Sequence, residues 1–159
     1  MTGQPALTTL TALQRQPALA LLKLDGDYWL LPPIEVRAVE SALAMDPAVR
    51  APHSLGAIAF AGAWWPVYGL SGELRLLRQL PEQRRVCLLL DNGADRFGLV
   101  ADEFEMLTPP PPLFAVPACM APPDGLIRAL ARFETRIGGV TDTEGLAARL
   151  AALMESDDG

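Results

Sequence analysis

The sequence has few of the residues that bind zinc or form disulfide frameworks. It contains two cysteines, Cys87 and Cys119, and one histidine, His53. A structural zinc site usually takes four Cys or His ligands, which this chain cannot supply. Two cysteines do not form a disulfide framework, and reduced thiols fit as well as a single pairing does. We predict that Cys87, inside the apolar run 86–90, is a core residue and that Cys119, in a Pro-rich segment, is exposed.

Positive charge and long apolar runs are also scarce. Lys and Arg number 13 against 19 Asp and Glu, so the formal net charge is −6. An acidic chain without a basic stripe repels phosphate backbones, which argues against nucleic-acid binding. No apolar run reaches the roughly 18 residues of a membrane span, and the N-terminus lacks the pattern of a secretory signal. We therefore expect a cytoplasmic protein without direct membrane insertion.

Catalytic signatures are missing as well. His53 lies in a loop beside a proline, and no motif supplies the partner that a general base needs, so a solvated loop histidine is expected. Asp102, Glu103 and Glu105 could suggest a metal site, but a solvated strand end is the simpler interpretation. The chain has neither a Gly-x-Ser-x-Gly motif nor a phosphate-binding glycine loop. We therefore predict no enzyme and no catalytic, metal or cofactor site.

Pairs of short apolar runs joined by turn residues dominate the chain. The runs 19–24 and 27–31 flank Asp25-Gly26, which is a strong hairpin signal because Gly supplies the positive φ of a tight turn. Three more pairs follow this plan: 55–60 with 63–68 around Gly62, 85–90 with 96–101 around Asn92-Gly93, and 126–133 with 136–141. Strand pairs at such short spacing predict an all-β barrel or sandwich.

Helix is expected mainly at the two ends of the chain. The first residues could form a short helix or a flexible arm, and we assign 1–17 to it. Near the C-terminus, Thr141 with Glu144 fits a capping box, and three leucines spaced i, i+4 and i+7 form one apolar stripe. We predict a single domain over residues 18–154, which ends in this helix, and a disordered tail over 155–159.

The segments between the hairpins give weaker signals. Residues 34–37 look like a helical turn that starts at Pro33. Residues 39–45 could be strand or helix, and the leucines of 74–83 suggest partial helix in a loop. The Pro-rich segment 108–123 is predicted to be an extended crossing. Its prolines could serve as a polyproline ligand, but a stiff connection is favoured.

Two adjacent tryptophans are the main candidate binding feature. Neighbouring residues of a strand point to opposite faces, so one indole can enter the core while the other faces out. An outward indole is typical of an interface anchor. Because Trp64 lies an even number of residues from Phe60 and Pro66, and we take Trp65 and Val67 as the inward pair, we predict that Trp64 faces out. The alternative is that the terminal helix or the Pro-rich crossing covers both.

Three blocks of the sequence, in their order, resemble the CheW-like family. They are 34–39, 55–70 and 97–104, and residues 126–132 and 140–142 resemble the family's last strands. The resemblance covers about residues 18–154. It implies an all-β fold with minor helix, in which two small SH3-like β-barrels are intertwined and a C-terminal helix follows.

The resemblance also implies a role. CheW-like proteins act as non-enzymatic adaptors that couple a chemoreceptor's cytoplasmic tip to a CheA-like histidine kinase, in chemotaxis or pilus-based motility. Such coupling needs surface shape and apolar anchors, and it needs no cofactor. The region that the family uses for partner contact corresponds here to Val36, Arg37, Ala61, Gly62, Trp64, Trp65 and Tyr68.

Three positions depart from the family pattern. Ala38, Ala61 and Gly69 stand where the family carries Glu, Arg and Asp. Since a fold does not fix a function, these losses favour an alternative, an interaction module with the same fold and a different partner. A small enzyme is a further alternative, which a deep pocket lined by His53 and acidic residues would support.

Overall fold

The computed structural model of the chain describes residues 9–120 and 125–158. Two α-helices, α1 (Leu10–Gln14) and α2 (Thr143–Asp158), lie at the ends. The strands are β1 (Leu19–Leu24), β2 (Asp27–Leu31), β3 (Val36–Ser41), β4 (Gly56–Phe60), β5 (Ala63–Tyr68), β6 (Val86–Asp91), β7 (Arg96–Ala101), β8 (Glu103–Leu107), β9 (Leu113–Phe114), β10 (Ala129–Arg132) and β11 (Ile137–Val140).

The strands form two sheets, and the chain passes from the first sheet to the second and back. Sheet 1 has the order β8-β1-β2-β11-β10-β9, and sheet 2 has the order β3-β6-β7-β5-β4. The chain begins in sheet 1, builds all of sheet 2 and then returns to complete sheet 1. Neighbours are antiparallel except β2 with β11 and β5 with β7. The predicted mostly-β fold of two intertwined halves with a C-terminal helix is confirmed.

The central strands are buried on both faces, which joins the two sheets into one unit. In β1, Leu19 and Leu21 pack into a cluster that belongs to sheet 1, whereas Leu22 and Leu24 pack into a shared core. This shared core also receives residues from sheet 2 and α2, such as Leu88 of β6. Because alternate strand residues point to opposite faces, strands covered on both sides read as continuous apolar runs.

Tight turns set the register of the first two hairpins as predicted. In the β1–β2 turn, Asp25 and Gly26 have φ values of 54° and 89°, and in the β4–β5 turn Ala61 and Gly62 have values of 52° and 78°. Two successive positive φ values are the pattern of a type I′ turn, whose twist matches that of the flanking strands. The pairs Leu24–Asp27 and Phe60–Ala63 close these hairpins.

The ends of the chain differ from the predicted boundaries. The short helix offered as one alternative for residues 1–17 is present as α1, and its Leu13 is fully buried in the sheet 1 cluster, so this helix packs on the domain predicted for 18–154. Residues 155–158 continue α2 instead of forming a disordered tail. Leu153 and Met154 pack against the shared core, and Asp157 in the last turn lies 3.3 Å from Nδ1 of His53, so the helix has contacts into its last turn. Residues 1–8 and 159 lie outside the described residues.

The predicted helix cap is also wrong in detail. The Gly145 amide donates a 2.7 Å hydrogen bond to Oδ1 of Asp142, so Asp142 caps the first turn in place of Thr141. The Thr143 amide donates to Oε1 of Glu35 at 2.7 Å. Glu35 belongs to a 3-10 turn (Pro33–Glu35) that fits the predicted helical turn. A carboxylate from a distant segment therefore shares the capping of α2.

Some segments differ from the sequence pattern because burial there is irregular. Segment 74–83 contains no helix. Leu74 has a positive φ of 58°, which a helix does not allow, and it is buried while the residues that follow it are exposed or half-buried. Strand β8 was not predicted, because it is a sheet-edge strand with Glu103 and Glu105 exposed. Residues 39–45 are strand to Ser41 and then a 3-10 turn.

Candidate partner-binding surface

The β4–β5 hairpin places the two tryptophans on opposite faces of sheet 2. Trp64 is 54% exposed, whereas Trp65 is 2% exposed. Antiparallel pairing sets Trp64 opposite Ala59 and Trp65 opposite Ile58, which is itself buried. The prediction that Trp64 faces out and Trp65 faces in is confirmed.

Trp65 is fixed inside sheet 2 by several contacts. Its ring meets the Phe60 ring edge to face at 5.9 Å, and its Nε1 donates to the Phe60 carbonyl oxygen at 3.3 Å. The Arg96 guanidinium lies 5.0 Å from the centre of the indole ring. Trp65 cannot contact a partner directly, so its assignment to the binding surface is corrected: it is a core residue that holds the hairpin rigid.

Four of the predicted residues lie together at the exposed end of this hairpin. Ala61 and Gly62 form the exposed turn, and Trp64 begins the outer face of β5. Arg37 of β3 adjoins the same end from the other face of the hairpin, with its guanidinium 6.0 Å from the ring centre of Phe60, which packs against Trp65. A register shift in β3 between Val36 and Ala38 turns the Arg37 side chain outward, as bulges do. We call Arg37, Ala61, Gly62 and Trp64 the Trp64 surface.

The other two predicted residues lie deeper. Val36 is half-buried against the shared core. Tyr68 is half-buried too, with its ring 6.3 Å from that of Phe97, and burial raises the pKa of its hydroxyl. The outer face of β5 thus runs from an exposed indole at Trp64 to a phenol that supports the junction of the sheets.

Sequence reasoning missed an exposed apolar row beside Arg37. Residues of β3 alternate between half-buried and exposed, and Val39 is on the exposed side at 38%. Ile34 and Leu43, which flank the strand, are 77% and 93% exposed. Large apolar side chains left in water in a group mark interaction surfaces more often than single ones do. Residue type in 36–41 gives no signal for this row, because Val39 is exposed whereas the charged Glu40 next to it is half-buried.

A buried ion-pair cluster, also missed, joins the two sheets. The Arg84 side chain is fully buried and precedes β6 of sheet 2. Its guanidinium lies 2.9 Å from Asp25 Oδ1, in the β1–β2 turn, and 2.9 Å from Asp102 Oδ1, between β7 and β8. It also donates to the Val100 carbonyl oxygen at 3.0 Å. The Arg84 Nε–H is not aligned for a hydrogen bond to Asp102, so this contact is an ion pair by distance.

The carboxylates of this cluster bind backbone as well. Asp102 accepts a 2.7 Å hydrogen bond from the Asp25 amide, and Asp25 accepts one of 2.9 Å from the Gly72 amide. Burial alone would raise the pKa of the Asp25 carboxyl, but the hydrogen bonds from Arg84 and Gly72 and the Arg84 charge lower it below its usual value. We call Asp25, Arg84 and Asp102 the ionic joint.

The predicted solvated histidine and the acidic strand end have partners. The His53 side chain is 16% exposed, and its Nδ1 lies 3.3 Å from Oδ2 of Asp157 in α2, so the prediction of a solvated loop histidine is wrong. Glu103 pairs with Lys23 at 2.8 Å across β8 and β1. Within residues 9–120 and 125–158, no group of three His, Cys, Asp or Glu side chains could hold a metal ion.

The two cysteines are both free, and they occupy the predicted environments. Cys87 is buried in the sheet 2 cluster and Cys119 is exposed. Burial raises the pKa of the Cys87 thiol to about 12, so it stays protonated as a small apolar core residue. Among the described residues, no helix is both long enough and apolar enough to cross a bilayer.

Comparison with known proteins gives a fold relationship. The sequence matches no known family model. It also matches none of the curated proteins. Among solved structures, the scaffolding protein TtCheW from Thermoanaerobacter tengcongensis is similar, with a TM-score of 0.64 and 12% sequence identity over 92% of this chain and 91% of that chain. The fold of this chain, with its two sheets, the connections between them and the terminal helix, is thus similar to the fold of a CheW scaffolding protein.

Proposed function

We propose that this chain is a non-enzymatic, cytoplasmic adaptor that couples a chemoreceptor's cytoplasmic tip to a CheA-like histidine kinase in a chemosensory array. The observation that carries the proposal is Trp64, a large ring exposed at the end of a hairpin that Trp65 holds in place. The fold shared with a scaffolding protein supports it. The Trp64 surface offers an apolar anchor and one cation, Arg37, and it offers no group for catalysis.

The physical argument rests on rigidity. An anchor residue binds well when it loses little conformational freedom, and an indole with two side-chain torsions on a paired strand meets that condition. Burying a tryptophan side chain in full removes on the order of 150–250 Å² from water, and Trp64, which is 54% exposed, has about half of that left for a partner to cover. Protein interfaces concentrate their binding energy in such aromatic residues.

A binding titration tests the proposal. We expect a histidine kinase regulatory domain and a chemoreceptor cytoplasmic fragment from the same genome to bind the purified chain. Trp64→Ala should weaken the complex by about 2 kcal/mol or more, which is a roughly 30-fold rise in Kd. Met106→Ala is the matched control, because Met106 is an exposed apolar residue on β8 of the other sheet. Unchanged affinity of folded Trp64→Ala would contradict the proposal.

Salt sharpens the test. Exposed ion pairs are strongly screened at about 0.15 M salt, whereas apolar burial is affected little. Since the Trp64 surface holds a single charged side chain, we expect the affinity to survive moderate salt. A loss of affinity by orders of magnitude over that range would show that charges outside this surface dominate the complex.

A second candidate function is an interaction module of the same fold that binds a different partner. Gly69 favours it, because a Cβ added there would lie 3.0 Å from Leu55 Cδ1 and 3.2 Å from Leu77 Cβ. The Asp that the family carries at this position would not fit without local rearrangement. Ala38 packs against the apolar sheet 2 cluster in a similar way. Binding of neither the kinase nor the receptor by the wild-type chain would favour this candidate.

A further inference from the structure

Within the part of the chain that the structure describes, one face of sheet 1 is covered over only part of its width. On β1, this face carries Leu22, which packs into the shared core, and the adjacent Trp29 of β2 packs against the same core. The face then continues in register through Gly139 and Leu130 to Phe114, across β11, β10 and β9. Directly paired residues lie on the same side of a sheet, so these residues extend the face that the shared core covers elsewhere.

The uncovered half of this face is an apolar groove. Phe114 is 47% and Ile137 68% exposed. The groove has a volume of about 670 Å³, within the common range for binding sites of about 300–1,000 Å³. Beside the groove, the Trp29 indole lies close over Gly139, where an added Cβ would lie 2.9 Å from Cζ3 of Trp29. Its walls are formed by the loop after β9 and by the β10–β11 hairpin, with Phe114, Pro117, Leu130, Phe133 and Ile137 as the large apolar residues.

The charge around the groove is opposite to that of the chain as a whole. Two arginines, Arg132 and Arg136, line it together with one acid, Glu134. The formal net charge of the chain is −6. Arg132 lies opposite Ile137 on neighbouring strands, so a guanidinium and an exposed apolar side chain stand side by side. Arg136 donates to the Gly26 carbonyl oxygen and lies 5.2 Å from the Tyr28 ring centre, which fixes it at the end of the hairpin.

We propose that this groove, which we call the Phe114 groove, binds a segment of another protein in which bulky apolar side chains alternate with carboxylates. The apolar side chains would cover Phe114, Leu130 and Ile137, and a carboxylate would pair with Arg132. Guanidinium groups bind carboxylates in a bidentate geometry, so a partner of this composition satisfies both parts of the site. The site lies on sheet 1, apart from the Trp64 surface of sheet 2.

Peptide binding to the full chain tests this assignment. The probe is a fluorescein-labelled peptide in which Leu and Phe alternate with Glu, and the matched probe carries Lys in place of each Glu. Fluorescence anisotropy should show binding of the Glu peptide that is about tenfold or more tighter than that of the Lys peptide. Arg132→Glu should remove this preference, and Ile137→Ser should weaken both peptides. Both residues are exposed, so the variants should fold, which thermal melting checks.

Two controls make the result specific to the groove. Arg75→Glu makes the same charge change at an 81% exposed side chain in the loop of sheet 2, and it should leave the preference for Glu unchanged. Trp64→Ala should not affect either peptide, so failure here and failure of the proposed adaptor function are separate results. Equal binding of the two peptides, or binding of neither, overturns the proposal. Self-association that Arg132→Glu abolishes also overturns it, because the occupant is then a second copy.

Discussion

The ionic joint and the Trp64 surface reverse the ordinary distribution of residues in opposite ways. At the joint, a guanidinium is fully buried between two sheets, with Asp25 and Asp102 as its partners. At the Trp64 surface, an indole that would usually be covered is 54% exposed. The first departure is compensated inside the molecule by carboxylates and a backbone carbonyl. The second has no such compensation within the described residues.

This difference separates residues that hold the fold from residues available for binding. A buried charge with its partners in place fixes the segments that provide them, here a turn of sheet 1 and a loop of sheet 2. An exposed ring adds little to stability, since covering it requires another molecule. Mutations at the two places should therefore affect different measurements, folding at the joint and complex formation at the surface.

The largest expected effect compares the two tryptophans on β5. Trp65→Ala should lower the free energy of unfolding by about 3–5 kcal/mol, because it leaves a cavity in the sheet 2 cluster. Trp64→Ala should lower it by less than about 1 kcal/mol, as exposed substitutions do. Urea titrations of the two variants measure this. Equal losses would mean that the outward ring also contributes to the core, and the comparison would fail.

The next effect concerns the joint itself. Arg84→Met should destabilise the chain by about 3 kcal/mol, because two partly buried carboxylates then lack their counter-ion. We place the loss at the lower end of the usual range, since the Asp25 side chain is 37% exposed. The control adds Asp25→Asn and Asp102→Asn to Arg84→Met, and much of the stability should return. A loss below about 1 kcal/mol in the single variant would show that water replaces the guanidinium.

The smallest effect is a pH dependence that distinguishes two carboxyls. The pKa of Asp25 is lowered, so its contribution to stability is present above its usual pKa of 3.8 and is lost as the pH falls through the folded-state value. Burial raises the pKa of Glu35, so its contribution is present below 4.5 and is lost as the pH rises.

Stability measured against pH tests these signs. Asp25→Asn should flatten the loss of stability on the acid side relative to the wild-type chain. Glu35→Gln should flatten the loss on the side where the pH rises above 4.5. Variants that change the same limb of the curve would show that the two carboxyls titrate as one coupled group.

Local patterns explain the parts of the fold that sequence reasoning predicted. The Asp-Gly turn at 25–26 and the turn at Gly62 fix hairpins within a few residues, because the required positive φ values restrict which residues can occupy them. Alternation within β5 gave the outward orientation of Trp64 from its neighbours Trp65 and Val67. The count back to Phe60 gave no such information, because it crosses the turn and Phe60 packs against Trp65 on the other face. Turn chemistry and alternation act over short distances, so one sequence is enough to read them.

Long-range contacts explain what was missed. Arg84 looks like an ordinary loop arginine, because its partners Asp25 and Asp102 are 59 and 18 positions away in the sequence. His53 was predicted to be solvated because its partner, Asp157, lies in a helix more than a hundred residues later. The Phe114 groove depends on the pairing of β2, β11, β10 and β9. The two residues of β9, 113–114, do not by themselves predict any of these pairings.

The hairpins, the terminal helix and the opposite faces of Trp64 and Trp65 could be predicted from the sequence, since these follow from backbone geometry between close neighbours. Which faces are covered follows from the folded chain alone. Coverage depends on how the chain leaves sheet 1, builds sheet 2 and returns, and therefore on contacts between residues far apart in the sequence. That is why the buried charge of Arg84 and the open half of sheet 1 became visible only when both sheets were in place.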